Sequence, residues 1–190
     1  MSVSDERVRR PDQRPEQGDD GMEALSVNVQ EQIDRYIAEQ IQPKRGDLQD
    51  LHRRVIGMSP NCKLWFLDGR NSEGKIVSNP NIGFGSTAIK YANGEQREFY
   101  RIGLSANTTG ISIYIMGLDD KQTLSETYGN RLGKAKITGY CIKFKSMKDV
   151  DIDTLAEIIT NAMDGRLERG RSGRVRSLGR TASQVERHRR

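Results

Sequence analysis

The sequence predicts an α+β domain, a two-layer sandwich of antiparallel sheet with N- and C-terminal helices covering one face. Apolar residues recur at helical spacing towards both ends of the middle of the chain. Between those stretches they alternate at strand spacing, and turn residues such as Asn93-Gly94 separate the alternating runs. Helices placed before and after such strands pack as a layer on the sheet.

The first helix opens at Asn28, with Glu31 three residues on. Val29, Ile33, Tyr36, Ile37 and Ile41 follow at helical spacing until Pro43 and Gly46 end the run. A second helix starts at Asp47. Leu48, Leu51, Val55 and Met58 form its buried stripe, His52, Arg53 and Arg54 lie off it, and Pro60 closes it. The period then changes. Residues 63–67 (KLWFL) read as a buried strand, and residues 87–91 as an alternating strand that meets the Asn93-Gly94 turn. Runs at 98–105 and 111–115, joined by a turn at Asn107 to Gly110, complete an expected antiparallel meander. A short helix is expected over residues 121–128. A further half-buried strand follows, in which Tyr140, Ile142 and Phe144 alternate with Cys141, Lys143 and Lys145. The last helix spans residues 151–163, capped by Asp151, with Ile152, Leu155, Ile158, Ile159 and Met163 on its apolar face. Between Leu67 and Phe84 lies a long loop, with Ile76-Val77 as a short edge strand within it; loops of this length are uncommon in small domains unless they serve a function or move.

Charge divides the chain further. Residues 165–190 hold nine arginines and two glutamates, and residues 1–21 hold four arginines and six acids. The remaining 18 basic and 18 acidic residues cancel, so the pI near 9.3 belongs to the tail and not to a basic domain surface. The expected organisation is a disordered arm over 1–21, a domain over 22–164 and a disordered Arg-rich tail over 165–190. The chain shows no apolar run long enough for a membrane span and no secretory signal, and Cys62 and Cys141 lack CxxC spacing. These features favour a reducing cytoplasm and two free thiols.

The motifs are incomplete. Gly83-Phe84-Gly85-Ser86-Thr87-Ala88 has the letters of a dinucleotide fingerprint, but a proline-containing loop precedes it and a strand follows, so it reads as the flexible start of a strand. Gly129 to Ala135 is one spacer short of a phosphate-binding loop and lacks its hydroxyl; it reads first as a solvated basic turn, with anion attraction by Lys134 and Lys136 as the alternative. Asp149, Asp151 and Asp153 lack the glycine and glutamate of a calcium loop and read mainly as helix-start residues. His52 is the domain's one histidine, and no complete catalytic motif surrounds it or either cysteine.

The stretches Thr87-Ala88-Ile89-Lys90-Tyr91, Arg97-Glu98-Phe99-Tyr100, Ile102 to Asn107 and Gly110 to Tyr114 resemble the YdhG-like family, a domain of unknown function. Gly133-Lys134-Ala135, the strand Thr138 to Phe144 and the terminal helix resemble that family's closing signature. The resemblance covers roughly residues 28–163. It implies a frataxin-like fold. Because one bacterial branch is regarded as an intracellular iron chaperone, it also implies iron as a cargo, with Glu31, Asp34 and Glu39 of the first helix as ligands.

Three functional readings follow. The first is a noncatalytic cytoplasmic binding domain of this family, with iron carriage as its specialised form. The second is an adaptor that binds a protein or small ligand through the domain, while Arg166, Arg169, Arg171, Arg174, Arg176 and Arg180 of the tail contact nucleic acid nonspecifically. The third is a small-molecule binder or enzyme with a site between the sheet and the 68–83 loop, formed by Trp65, Lys90, Arg97 and Tyr100.

Overall fold

A computed structural model describes residues 20–91 and 93–167 of the 190-residue chain, with the backbone alone for residues 20–28. Its elements are α1 (Asp20–Ala38), α2 (Lys44–Met58), β1 (Leu64–Leu67), β2 (Asn81–Phe84), β3 (Thr87–Lys90), β4 (Gln96–Phe99), β5 (Ile102–Asn107), β6 (Gly110–Ile115), α3 (Thr123–Tyr128), β7 (Lys136–Thr138), β8 (Cys141–Phe144) and α4 (Ile152–Met163). The expected α+β class is the one observed. Six strands form one sheet in the order β1-β2-β5-β6-β8-β7, and β3 with β4 forms a separate two-stranded ribbon. Every pairing is antiparallel.

Register decides which side chains meet the helices. Ile82 and Phe84, Ile102 and Leu104, Ile113 and Ile115, and Ile142 are buried and aligned across the strands on one face. They pack in one core with Ile33 and Ile37 of α1, Leu48, Leu51 and Val55 of α2, and Leu155, Ile158 and Ile159 of α4. This burial of apolar area is the main term that favours the folded chain. Asp151 caps α4 as expected: its carboxylate accepts from the Thr154 N–H at 2.8 Å. At the other end of α4, the Ala162 carbonyl accepts from the Gly165 N–H at 3.0 Å and from the Arg101 guanidinium at 3.1 Å. Tyr36 joins the layers differently. Its hydroxyl accepts from the Ala106 N–H at 2.8 Å and donates to the Pro80 carbonyl at 3.4 Å, where β2 and β5 part company.

Several expected boundaries are corrected. α1 starts at Asp20 and not at Asn28, because residues 20–27 contain no proline and include the good helix formers Met22, Glu23, Ala24 and Leu25. α2 starts at Lys44, so Gly46 lies inside a helix; the Gln42–Pro43 peptide bond before it is cis. Ile41 falls beyond α1 and is 75% exposed. The expected three-run meander fails because the run at 98–105 is two strands, broken at Tyr100 and Arg101, and β3 pairs only with β4. β2 and β7 are strands that periodicity missed, being too short and, for β2, carrying a central glycine. Ile76 makes one isolated bridge to Arg70 where a short edge strand was expected. The loop carrying it folds on its own hydrogen bonds, with the Asn71 carboxamide accepting from the Glu73 and Lys75 N–H groups.

Candidate functional site

The sheet face away from the helices carries glycine, polar, basic and aromatic residues. Along it, Asn81, Ser105, Ser112, Lys143 and Lys136 form one cross-strand row, and Trp65, Gly83, Gly103, Tyr114, Cys141 and Thr138 form the next. Over Gly83 and Gly103 lies the ring of Tyr100, which is only 5% exposed. A Cβ at Gly83 would stand 2.6 Å from Tyr100 Cβ, and one at Gly103 would stand 2.6 Å from Tyr100 Cε2. Gly83 and Phe84 therefore end an interior strand whose glycine admits a ring, a correction to their reading as a flexible strand start, and Gly85 (φ 65°) links β2 to β3. Burial, with smaller contributions from Tyr114 and Cys141, pushes the Tyr100 hydroxyl up to about 12.

A groove of about 410 Å³ opens at the far end of this sheet, beside the turn between β5 and β6. Lys134, Lys143 and Lys145 line it with Asn107, Thr109 and Asp149. The three lysines are exposed, and none makes an ion pair among the described residues. Two glycines let the backbone close around it. Gly110 (φ 149°) would bring a Cβ 2.1 Å from the Phe144 carbonyl oxygen. Gly133 (φ 77°) lets the chain turn so that Lys134 N–H donates to the Asp149 carbonyl at 2.7 Å. The opposite wall is fixed by hydrogen bonds: the Asn107 side chain accepts from the Thr109 N–H at 2.9 Å and donates to Ser112 Oγ at 3.0 Å. Lys44 at the start of α2 donates to the Asn107 carbonyl.

Of the residues singled out from sequence, Lys134 and Asp149 line this groove and Lys136 stands beside it, directly opposite Lys143 in the β7–β8 register. Lys143, Lys145, Asn107 and Thr109 were missed as site residues. A signal existed: between Arg131 and Asp149 the sequence places six basic side chains and a single acidic one.

Trp65, Lys90, Arg97 and Tyr100 are not brought together. Trp65 Nε1 donates to the Gly85 carbonyl at 2.8 Å under the Lys63 ammonium, which lies 4.2 Å from its ring centre and pairs with Glu98 at 2.9 Å. Lys90 and Arg97 are exposed and occupy opposite faces of the β3–β4 ribbon, because Ile89 and not Lys90 is opposite Arg97. Glu31 and Asp34 are exposed on α1, Asp34 accepting from Gln30 at 2.9 Å, and Glu39 lies just past the helix end. Among the described residues no three His, Cys, Asp or Glu side chains gather as a metal site. Arg166 pairs with Asp164 at 2.8 Å, while Arg169, Arg171, Arg174, Arg176 and Arg180 lie outside the described residues.

His52 corrects another expectation. Its ring packs 5.5 Å from that of Phe84, and its Nδ1 is buried without a hydrogen-bond partner. Burial lowers its pKa from the usual histidine value, against a weaker pull upward from Asp34. Cys62 packs against the core and Cys141 lies on the opposite face, so the two free thiols are on different sides of the sheet; burial raises both.

Comparison of the chain with protein-family models, with curated proteins and with solved structures finds no match. No helix among the described residues is long and apolar enough to cross a membrane.

Proposed function

We propose that the domain is a noncatalytic binding module of YdhG-like type, and that its ligand is a phosphate-bearing anion held in the lysine-walled groove. The observation that supports this is the convergence of Lys134, Lys143 and Lys145 on one cavity without carboxylate partners among the described residues. Three lysines on one groove give it a positive potential, and an anion bound there accepts charge-assisted hydrogen bonds from them. Thr109 and Asn107 add neutral polar groups at the rim, and Asp149 offsets only one of the three charges. Iron carriage, the specialised form implied by the family resemblance, would fall on Glu31, Asp34 and Glu39, which do not gather as a trio.

Calorimetric titration of the full chain with tripolyphosphate tests the groove. Saturable binding is expected, and a lysine that donates to a phosphate contributes about 1.5–3 kcal/mol, so Lys143→Ala and Lys145→Ala each weaken it about tenfold or more. Both side chains are exposed, and the variants should melt no lower than the wild type, since Lys143→Ala also removes the like-charge contact with Lys136. Equal heats from wild type and a Lys143→Ala/Lys145→Ala double variant would reject the groove as the site.

A further inference from the structure

We infer that the ligand of this site is a single-stranded nucleic acid that continues from the groove onto the open face of β7 and β8. The inference rests on the anion-binding reading above and names the class of anion. Its first support is a like-charge pair. Lys136 and Lys143 are direct cross-strand partners on one sheet face, an arrangement that destabilises a sheet. Neither makes an ion pair among the described residues. Lys143 lines the groove and Lys136 stands outside it. A compact polyphosphate, whose phosphates share bridging oxygens, fits within the groove and leaves Lys136 unused. A nucleic-acid strand, whose phosphates are spaced apart by sugars, reaches beyond the groove, engages Lys145, Lys143 and Lys136 in order, and neutralises the opposed pair.

The second support is what lies beside the charges. Tyr114 is half-buried, faces the same side of the sheet and stands diagonally across from Lys143. A basic row next to an aromatic ring on a sheet face suits an unpaired strand, whose phosphates meet the lysines while a base stacks on the ring. A duplex hides its bases and is read through its grooves by an inserted helix or ribbon, and the lysine row lies on a sheet face. A membrane surface is disfavoured too. The exposed large apolar residues Ile41, Ile76, Val77 and Tyr91 belong neither to the groove nor to β7 and β8.

The test is fluorescence anisotropy of the full chain with labelled 12-nucleotide poly-U RNA and poly-T DNA across a salt series, beside the tripolyphosphate titration. The arginine-rich tail is present in every sample, so each effect is a difference from the wild-type chain. Lys136→Ala should lower the slope of log K against log salt by about 0.7, as for one phosphate contact to a single strand, and leave tripolyphosphate binding unchanged. Tyr114→Leu should weaken oligonucleotide binding about tenfold with tripolyphosphate again unaffected. RNA and DNA binding with the same lysine dependence identifies the shared phosphodiester strand; dependence in one alone identifies the source.

Unchanged oligonucleotide affinity and slope in both Lys136→Ala and Tyr114→Leu would overturn the inference. If tripolyphosphate still binds through Lys143 and Lys145, the groove reading stands by itself; if it does not, both fail. Equal competition by duplex DNA, or Lys136-dependent binding to phosphatidylserine vesicles without oligonucleotide binding, would also overturn it.

Discussion

Replacing Gly103 by alanine tests the packing of Tyr100 on the sheet, and the structure supplies the size of the effect. The new Cβ would stand 2.6 Å from Tyr100 Cε2 and 2.9 Å from Cζ, well inside van der Waals contact. Overpacking of this kind costs about 1–3 kcal/mol. The atoms it strikes are at the far end of the ring, so some of that cost can be relieved by a small swing of the side chain. Gly83→Ala differs: its Cβ would stand 2.6 Å from Tyr100 Cβ, an atom held by the backbone. Its cost should be the larger of the two. Removing the ring by Tyr100→Ala separates these cases. That change itself costs about 3–5 kcal/mol as a large core truncation. In its background Gly103→Ala meets no ring, and alanine there gains about 0.5–1 kcal/mol over glycine from lower chain entropy in the unfolded state. Gly83→Ala keeps part of its clash, because the Cβ at position 100 remains while Cγ and Cδ1, each 2.8 Å away, are removed. Urea unfolding followed by the single tryptophan, Trp65, measures all the corners of both cycles. The expected coupling is about 2–3 kcal/mol for Gly103 with Tyr100 and smaller for Gly83, whose contact with Tyr100 Cβ outlasts the ring. Equal cost of Gly103→Ala with and without the ring would refute the stacked arrangement.

Two further outcomes follow from single residues. Asp151→Ala removes the acceptor for the Thr154 N–H and should lower stability by about 1 kcal/mol, whereas Asp151→Asn should restore most of it; thermal melts of the three proteins check this. His52 has a folded-state pKa below its unfolded value, so the unfolded chain takes up its proton first. Its contribution is complete above about pH 6.5 and falls away as the pH drops from there through the folded-state pKa. His52→Gln should therefore flatten the stability profile in that window and leave the neutral-to-alkaline region alone. An unchanged acid slope in the variant would show that His52 is not the group responsible.

How much could be read without coordinates depended on the range of the interaction. The apolar stripes of α2 and α4, the Asp151 cap and the alternation in β6 and β8 were legible because each is set within a few residues by helical or strand periodicity. The neutral charge balance of residues 22–164 was equally legible, being a matter of counting. That balance concealed the site. Averaged over the domain the charges cancel, yet the chain reversal from β7 to β8 places Lys136 against Lys143, and the Gly133 turn brings Lys134 to the groove that holds Lys145.

The sequence by itself determined the α+β class, the main helices and the charge contrast between the domain and the tail, since these rest on local spacing and composition. Only the tertiary structure decided three other matters. It placed Tyr100 over two glycines and His52 against Phe84, and it set Lys134, Lys143 and Lys145 around one groove with Asn107 and Thr109. The physical reason is common to all three. Each depends on strand order and register between segments far apart in the chain, and a one-residue change of register would send the same side chains to the other face.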